Sequence, residues 1–404
     1  MERTLRFVEN RNLLFFLVLL VALVASMQSY LGGMKTFVEN GLLYTQYNNY
    51  IIFKQSFFHL VEQKDLYIHY DQEQWDLYKY SPAFALLFGL FAYLPDVLGL
   101  TLWNLLNSLT LFFAIYYLPG FEKRRQGMML VFILIELFTS LQNEQSNGLM
   151  AGLIIFAFGL LEKRRYWLAS FCLVSSIYIK LFGLVGLALY LLYPDKLKLT
   201  YTTAFWVVVY TFLPLLVVDV PQFVFLYESW ANLLANDHSI SDGLSVIGWL
   251  KTWFGWTPDK TLVSLAGVVF FCLPLLRFRY FNEYLFRVFL LASVLVWVVI
   301  FNHRAESPTF VIAVSGVALW YFSQAPKTEN LVLLLLTLLF TVLSATDLFP
   351  AFVRNQWMKP YVVKAVPCIL IWAKITFDLI FLNLSPVLST TRSKVPDMVP
   401  LNEK

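Results

Sequence analysis

The chain has 404 residues, of which 59% are hydrophobic and 14% are charged, and its formal net charge is +4. Since a soluble globular protein has about half of its residues apolar and about a quarter charged, this composition excludes an ordinary soluble domain. The high aromatic content and the small net charge are not typical of a secreted or nucleic-acid-binding protein.

Apolar segments long enough to cross a membrane recur throughout the chain. A helix of roughly 15–20 apolar residues crosses about 30 Å of hydrocarbon, and the first run does not resemble a cleaved signal peptide. The segments lie near 13–31, 82–118, 127–141, 147–161, 166–179, 181–193, 199–217, 261–276, 284–301, 308–323, 330–345 and 361–381. They predict an all-α fold, a polytopic transmembrane helical bundle of about 12 spans.

The polar stretches between these segments alternate in charge. The basic ones are Arg3/Arg6/Arg11, Lys123–Arg125, Lys163–Arg165, Lys196/Lys198, Arg277/Arg279, Lys327 and Arg392/Lys394. The positive-inside rule places them and both chain ends in the cytoplasm. We therefore expect one membrane-embedded domain over residues 1–383, with outer loops near 32–81, 218–260, 302–307 and 346–359, and a flexible cytoplasmic tail at 384–404.

The segment 82–118 is interrupted at Pro95-Asp96. Two crossings there would place Lys123–Arg125 outside, so an odd number is expected, with 82–94 partly embedded or strongly tilted. The cysteines Cys172, Cys272 and Cys368 lie in apolar runs. Their number and spacing predict neither a disulfide framework nor a metal site.

A long polar and aromatic insert, from about Tyr47 to Pro82, separates the first two apolar segments. Its first half has the spacing of an amphipathic helix that can lie along the membrane interface. Its second half carries carboxylates, including Asp65 and Asp76, beside tyrosines such as Tyr80. Carboxylates can act as general bases and aromatic faces suit sugar rings, but a solvated loop with an interfacial aromatic belt remains the alternative.

Polar residues at two further positions on the same side predict ligand contacts. Gln145 and Asn147 lie between two spans and can bind hydroxyl groups, or alternatively cap helices. Lys180 lies between two apolar half-spans, where an unpaired lysine costs a few kcal/mol unless it snorkels or meets an anion. This position makes Lys180 a candidate partner for a phosphate.

Two outer loops contain a histidine next to a charged residue. Asp237 and His238 lie in the loop 218–260, and His303 and Arg304 lie between two later spans. Histidine can move protons or bind phosphate, and arginine can bind phosphate through two hydrogen bonds. The alternative for Arg304 is a surface ion pair with Glu306 worth less than about 1 kcal/mol.

Few charged residues lie inside the apolar segments. Glu136 lies within a span and has no evident local partner. Lys374 and Asp378 are four residues apart near the inner end of the last helix, so they are expected to pair. Among the apolar segments we find no string of acidic residues that would mark a path for ions or protons.

Together these features resemble glycosyltransferase family 87, which belongs to the GT-C superclass of polytopic membrane glycosyltransferases. The resemblance extends from the first helix to about Phe322 and rests on the order of short motifs. They are Lys64-Asp65-Leu66-Tyr67, Tyr78-Lys79-Tyr80-Ser81-Pro82, Gln145-Ser146-Asn147, Ile179-Lys180, the loop His238-Ser239-Ile240-Ser241, and His303.

The resemblance implies a bacterial inner-membrane enzyme that moves a mannose-like sugar from a polyprenyl-phosphate donor to a lipid or glycan acceptor at the outer leaflet. The acceptor hydroxyl would attack the anomeric carbon with inversion while a carboxylate takes its proton. The family resemblance implies that the enzyme needs no cofactor, no metal and no nucleotide sugar. Besides donor and acceptor, membrane lipids are the expected partners, and nucleic acid is not expected to bind.

One position departs from the family. Relatives usually place the base, an aspartate, just after the first helix, where this chain has Asn49. An amide cannot act as a general base near neutral pH. Either another carboxylate or a histidine takes the role, or the activity is altered or absent; the carboxylates considered are Glu62, Asp65, Asp71, Asp76 and Asp237.

The sequence therefore predicts a lipid-phosphate-dependent glycosyltransferase. The candidate catalytic residues are Asp65, Asp76, Asp237 and His303. The candidate substrate-binding residues are Asn49, Tyr80, Gln145, Asn147, Lys180, His238 and Arg304. The alternative is a lipid or polyprenyl-phosphate transporter or binding protein without transferase activity, which would need polar residues that reach both faces of the membrane.

Overall fold

The computed structural model describes residues 7–36, 41–236 and 241–382. Its α-helices are α1 (Arg11–Leu31), α2 (Asn48–Val61), α3 (Pro82–Ala92), α4 (Asp96–Tyr117), α5 (Lys123–Gln142), α6 (Asn147–Glu162), α7 (Tyr166–Ile179), α8 (Lys196–Phe212), α9 (Val220–Ala235), α10 (Val246–Phe254), α11 (Lys260–Cys272), α12 (Tyr284–Ile300), α13 (Phe310–Phe322), α14 (Thr328–Thr337), α15 (Ala351–Val353) and α16 (Val366–Phe381). The predicted tail at 384–404 lies outside the described residues.

Shorter helical types and one ribbon complete the secondary structure of these residues. The 3-10 helices are Leu181–Leu192, Leu213–Leu216, Leu273–Leu276, Phe278–Tyr280, Ser307–Thr309 and Val363–Ala365, and the π-helical turns are Leu338–Val342 and Arg354–Met358. Strands β1 (Met34–Lys35) and β2 (Tyr44–Thr45) pair antiparallel, with Met34 opposite Thr45. The all-α prediction is therefore confirmed.

Three of the described helices are long and apolar enough to cross a membrane: α1, α4, and α8 with the 3-10 turn that follows it. At 1.5 Å per residue, the 21 residues of α1 extend about 32 Å. The other apolar helices have 10–17 residues, so the prediction of about 12 spans is not confirmed. Proline contributes to this shortening, because Pro214 and Pro274 each lie in a 3-10 turn that ends an α-helix.

The segment 82–118 contains one helix of spanning length. Ser81 caps α3, where its hydroxyl accepts the N–H of Phe84 at 3.1 Å, and Pro82 occupies the first helical position. The 11 residues of α3 extend only about 16 Å, whereas the 22 residues of α4 extend about 33 Å after the break at Pro95. The segment thus has one helix long enough to span, and its odd number of crossings stays a prediction.

Helices α12 and α13 lie at the centre of the bundle. They pack against each other, and nearly all of their side chains are buried. Around them, α12 contacts α16 and α13 contacts α5, while α4 packs against α1 and α6. The two central helices are connected by the loop 302–309, so the position of that loop is fixed by the core.

The insert folds onto the bundle instead of lying free above it. Its predicted helix is present as α2, but most side chains of α2 are buried because it packs against α3. The ring of Phe53 lies 5.7 Å from Trp103 and 5.3 Å from Phe88, within the range of favourable aromatic contacts. These contacts hold one wall of the insert against α3 and α4.

Three ion pairs, each with at least one buried member, lie inside the described bundle. Lys364 Nζ lies 2.7 Å from Glu136 Oε1, so the partner missing from the local sequence comes from 228 residues later in the chain. Lys374 Nζ lies 2.5 Å from Asp378 Oδ1, which confirms the predicted pair. A third pair, Arg287 with Glu162, was not predicted; its two hydrogen bonds measure 2.6 and 2.8 Å.

Candidate functional site

A cavity of about 510 Å³ lies where the insert, the loop between α5 and α6, the end of α7 and the loop 302–309 meet. Its polar lining residues are Asn49, Asp76, Lys79, Tyr80, Gln145, Lys180, Asn302, His303, Arg304, Glu306 and Thr309. Its apolar lining residues are Ile52, Phe53, Leu77, Ile179, Leu181, Phe182, Leu234, Trp297, Val298 and Phe301. The size is typical of a small-molecule site.

The structure brings most of the sequence-predicted site residues to this one cavity. Seven of them line it: Asn49, Asp76, Tyr80, Gln145, Lys180, His303 and Arg304. Asn147 lies immediately behind the lining, in contact with Lys180. Asp65 does not line the cavity, and Asp237 and His238 lie outside the described residues.

Asp65 has a structural role. Its two carboxylate oxygens accept hydrogen bonds from the Ser229 hydroxyl at 2.9 and 3.0 Å, and Oδ1 also accepts the N–H of Tyr67. Ser229 belongs to α9, so Asp65 connects this helix to the insert. This position does not support the prediction that Asp65 is catalytic.

Lys180 reaches the cavity from the turn between α7 and the 3-10 helix Leu181–Leu192. The backbone of Lys180 is extended, with φ −141° and ψ 125°, which ends α7 at Ile179. The chain then turns back closely, because a Cβ atom at Gly183 would lie 2.7 Å from the carbonyl carbon of Ser176. The long lysine side chain is thereby directed toward the loop between α5 and α6.

The ammonium of Lys180 is held by neutral amide oxygens. Its Nζ atom donates to Asn147 Oδ1 at 2.7 Å and to Gln145 Oε1 at 3.1 Å. These are its two hydrogen bonds among the described residues. Since an ammonium has three donors, one donor is left for a ligand. Burial lowers the pKa of Lys180 to about 8, and the charge of Glu306 opposes this shift.

These amides therefore orient a cation, although the sequence also allowed them to cap helices. Ser146, at the start of α6, makes no side-chain cap hydrogen bond. The loop itself is fixed by Trp103, whose Nε1 donates to the carbonyl of Glu144 at 2.8 Å. Burial raises the pKa of the Glu144 carboxyl group to about 8, which favours its neutral form.

The loop 302–309 is held in place from behind the cavity. Asn302 Oδ1 accepts the N–H of Arg304 at 2.9 Å, and the carbonyl of Ala305 accepts the N–H of Leu244 at 2.8 Å. Lys364 Nζ, already paired with Glu136, also donates to the Ser307 hydroxyl at 2.8 Å. A buried ion pair that lines no part of the cavity thus fixes one of its walls.

The loop after α9 packs closely against the same wall. Gly243 has φ +58°, and a Cβ atom there would lie 2.5 Å from the carbonyl oxygen of His303. Only glycine fits this backbone conformation and this close approach without strain. The position of His303 therefore depends on Gly243.

His303 and Arg304 differ in charge near neutral pH. Burial lowers the pKa of His303, the nearby Lys260 lowers it further, and Asp242 opposes both effects. The imidazole is therefore mainly neutral at pH 7, and it can donate or accept a hydrogen bond. Burial also lowers the pKa of Arg304, but a guanidinium remains charged in proteins.

Two carboxylates are found among the described lining residues. Asp76 is engaged locally, because Lys79 Nζ lies 3.0 and 2.9 Å from its two oxygens and the N–H of Leu77 donates to Oδ1 at 2.8 Å. Glu306 precedes the 3-10 turn before α13, where its carbonyl accepts the N–H of Thr309 at 3.0 Å and its own N–H donates to Thr309 Oγ1 at 3.3 Å. In the sequence, Glu306 was interpreted only as a surface partner of Arg304, and no local pattern indicated that it lines the cavity.

Asn49 lines the cavity at the start of α2. Its Nδ2 atom donates to the carbonyl oxygen of Asn143 at 2.9 Å, which joins the insert to the loop between α5 and α6. Tyr80 lies on the same wall, with its ring centre 5.7 Å from Lys180 Nζ. An aromatic face beside polar groups suits a sugar ring.

The other side of the cavity is apolar and continues to the surface of the bundle. Its walls include Phe182, Trp297 and Phe301, and its rim includes Leu181, which is 44% exposed. The neighbouring Leu184 is 58% exposed. The apolar side of the cavity therefore has an exposed, apolar rim beside Lys180.

The family model described as glycosyltransferase family 87 matches residues 78–345 of the chain. This range is more than half of the sequence, and it confirms the resemblance drawn from the motifs. It includes Tyr80, Lys180 and Glu306 but begins after Asn49 and Asp76. No curated protein matches the chain.

Proposed function

The chain belongs to glycosyltransferase family 87, and from this premise we propose that it transfers a mannose-like sugar from a polyprenyl-phosphate donor to an acceptor hydroxyl, with inversion. The acceptor would be a lipid or a glycan at the outer face of the membrane. The family and the apolar helices make it a membrane glycosyltransferase; the donor, the acceptor and the stereochemistry belong to the proposal.

One observation carries the choice of donor. The same cavity joins a cationic wall, formed by Lys180 and Arg304, to an apolar wall that includes Phe182 and Trp297. A phosphate fits the first wall and an isoprenoid chain fits the second. The cavity volume of about 510 Å³ also leaves room for a hexose between them.

The cations would act mainly on the leaving group. As the bond between the anomeric carbon and the phosphate oxygen breaks, its electron pair passes to the phosphate, whose negative charge increases. Lys180 and Arg304 are already in place to stabilise this charge, and neutral His303 can donate a further hydrogen bond. Tyr80 and Gln145 would contact the sugar.

The charge pattern of the helices supports an outer position for the cavity. Helix α5 begins at the basic stretch Lys123–Arg125 and ends at Gln142, beside the cavity. Its 20 residues extend about 30 Å, the thickness of the hydrocarbon core. With the basic end in the cytoplasm, the cavity faces outward. A location in a bacterial inner membrane would agree with this arrangement.

A second candidate function, binding or transport of a polyprenyl phosphate without transfer, is favoured by one residue. Asn49 occupies the position where relatives carry an aspartate base. Transport needs polar groups that reach the inner face, whereas the inward-lying charges Arg287 and Lys374 are engaged in ion pairs. The transferase is therefore the better supported of the two.

A comparison of sugar donors, made in membranes that contain the protein, separates these two functions. We expect labelled sugar to pass from polyprenyl phosphate to an endogenous acceptor, and no transfer from the corresponding nucleotide sugar once polyprenyl-phosphate-sugar synthesis is blocked. Nuclear magnetic resonance of the product should show the inverted anomeric configuration. Movement of the intact donor across the bilayer without any transfer would instead support the second function.

A further inference from the structure

We propose that Glu306 is the general base that deprotonates the acceptor hydroxyl. This inference rests on the proposed transferase function and assigns the role that Asn49 cannot fill. It starts from the cavity lining, where Asp76 and Glu306 are the carboxylates among the described residues. A general base must lie within hydrogen-bond reach of the proton that it takes, so a base outside the lining could act only through an intervening group.

Asp76 is a poorer candidate than Glu306 because its oxygens are already used. Both accept from the Lys79 ammonium, and Oδ1 also accepts a backbone N–H. Protonation of Asp76 would give up an ion pair and two charge-assisted hydrogen bonds. The nearby Glu144 carboxyl group is buried and lies outside the cavity lining.

Glu306 meets the requirements of a base at this site. Its side chain is exposed, so acceptor molecules can reach it. The hydrogen bonds between Glu306 and Thr309 use the backbone of Glu306, and a carboxylate has about four lone-pair positions, so the side chain can receive a proton. These two bonds fix the backbone from which the side chain extends.

The backbone on each side of Glu306 is anchored. Ala305 is buried, and its carbonyl accepts the N–H of Leu244; Ser307 accepts from Lys364. Pro308, which follows in the 3-10 turn, restricts φ. The carboxylate is thus presented from a rigid wall, which general-base catalysis requires.

Glu306 and Lys180 divide the reaction between them. The acceptor oxygen forms a bond to the anomeric carbon, and its proton passes to the Glu306 carboxylate. The bond from the anomeric carbon to the phosphate oxygen breaks, and the electron pair leaves with the lipid phosphate, which Lys180 and Arg304 hold. The products are the glycosylated acceptor and the polyprenyl phosphate, so atoms and charges balance.

The test compares Glu306→Gln with wild-type protein in detergent or liposomes, using a polyprenyl-phosphate-linked sugar and its acceptor. Glutamine keeps the size of the side chain and the backbone bonds to Thr309 but has no basicity. We expect kcat to fall by about 10²–10⁴-fold, with donor Kd changed by less than about threefold because the phosphate-binding residues remain. The acid limb of the kcat/KM profile should disappear.

Three controls separate the possible failures. Glu228→Gln removes another exposed outer carboxylate, in α9, and should keep wild-type activity. Glu306→Asp retains a carboxylate and should show intermediate activity with the acid limb present. If Glu306→Gln does not fold, Glu306→Asp serves as the test. Absence of the acid limb in Glu306→Asp would contradict the assignment of Glu306 as the general base.

Wild-type activity distinguishes this inference from the proposed function. If wild type transfers no sugar from any lipid-linked donor, the proposed function is wrong. If wild type is active and Glu306→Gln retains its kcat or its acid limb, the function stands and Glu306 is not the base. Loss of the acid limb in Asp76→Asn or Asp237→Asn instead would assign the role to that residue and overturn the proposal.

Discussion

The ammonium of Lys180 lies 2.7 Å from Oδ1 of Asn147, so a buried cation is held by a neutral amide. An aspartate at the same position would have neutralised the charge and left nothing for a ligand. The amide instead fixes the direction of the side chain and leaves its charge available. This arrangement is suited to an anion that arrives and leaves, as a donor phosphate does.

Replacement of Lys180 by methionine should weaken the site and strengthen the fold. Methionine fills the space of the lysine stem without a buried charge, so the free energy of unfolding should stay equal or rise. Donor affinity should fall by about 10- to 100-fold, because a hydrogen bond to a charged group contributes about 1.5–3 kcal/mol. Thermal unfolding and donor titration measure the two effects, and a drop in both would indicate a structural role alone.

Asn147→Asp should neutralise Lys180 without changing the shape of the site. The new carboxylate would lie next to Nζ and form a buried ion pair, while it repels a donor phosphate. We expect donor Kd to rise at least about tenfold, a change of about 1.4 kcal/mol. Isothermal titration with the lipid donor measures this, and unchanged affinity would show that Lys180 does not bind phosphate.

Donor binding should weaken at alkaline pH. Burial lowers the pKa of Lys180 to about 8. In the protein without donor, the Lys180 side chain is therefore cationic below that pH and loses its charge above it. Donor Kd should be nearly constant from about pH 6 to pH 7.5 and should then rise up to about tenfold per pH unit, since one proton is linked to binding.

Lys180→Arg provides the matched control for this pH dependence. A guanidinium stays charged over the whole range, so the alkaline rise in Kd should disappear even if affinity is lower overall. A rise that persists in the arginine variant would assign the titration to a different group.

Lys364→Met should destabilise the protein and impair the distant cavity. It leaves Glu136 buried without its partner, which costs about 3–5 kcal/mol, and it removes the hydrogen bond to Ser307. Glu136→Leu combined with Lys364→Met should recover most of the stability, because neither charge then remains. Thermal unfolding measures the recovery, and a double variant no more stable than Lys364→Met would contradict the pairing.

A carboxylate at position 49 should partly rescue the loss of Glu306. Asn49 lines the same cavity, and the sequence resemblance implies that relatives carry the base at this position. We expect the double variant Asn49→Asp, Glu306→Gln to transfer sugar at least about tenfold faster than Glu306→Gln, since general-base catalysis contributes about 10²–10⁴-fold. Equal rates for the two would show that position 49 does not reach the acceptor hydroxyl.

The shared position of Lys180 and Gln145 could be predicted from the sequence because it depends on span order alone. The basic stretches lie between every second pair of apolar segments and indicate which turns share a face of the membrane. Gln145 and Lys180 both lie in turns assigned to the opposite face from the basic stretches. The pair Lys374 and Asp378 could be predicted for a related reason, since four residues make slightly more than one helical turn.

Other features depend on contacts that no local pattern indicates. Glu136 and Lys364 meet only because α5 and the 3-10 turn before α16 lie close together in the folded bundle. The role of Glu306 depends on how the loop 302–309 is held against the cavity. The predicted number of spans assumed that each apolar run forms one long helix. Helices are shorter where proline or a 3-10 segment interrupts an apolar run, as at Pro214.

The most direct measurement is transfer of labelled sugar from a polyprenyl-phosphate donor by the protein in membranes, with wild type, Lys180→Ala and His303→Ala compared side by side. The cavity described above predicts robust transfer by wild type, loss of at least about 90% of it in Lys180→Ala, and a clear reduction in His303→Ala, since each removes a donor to the departing phosphate. Full activity in both variants would contradict the assignment of this cavity as the site of transfer.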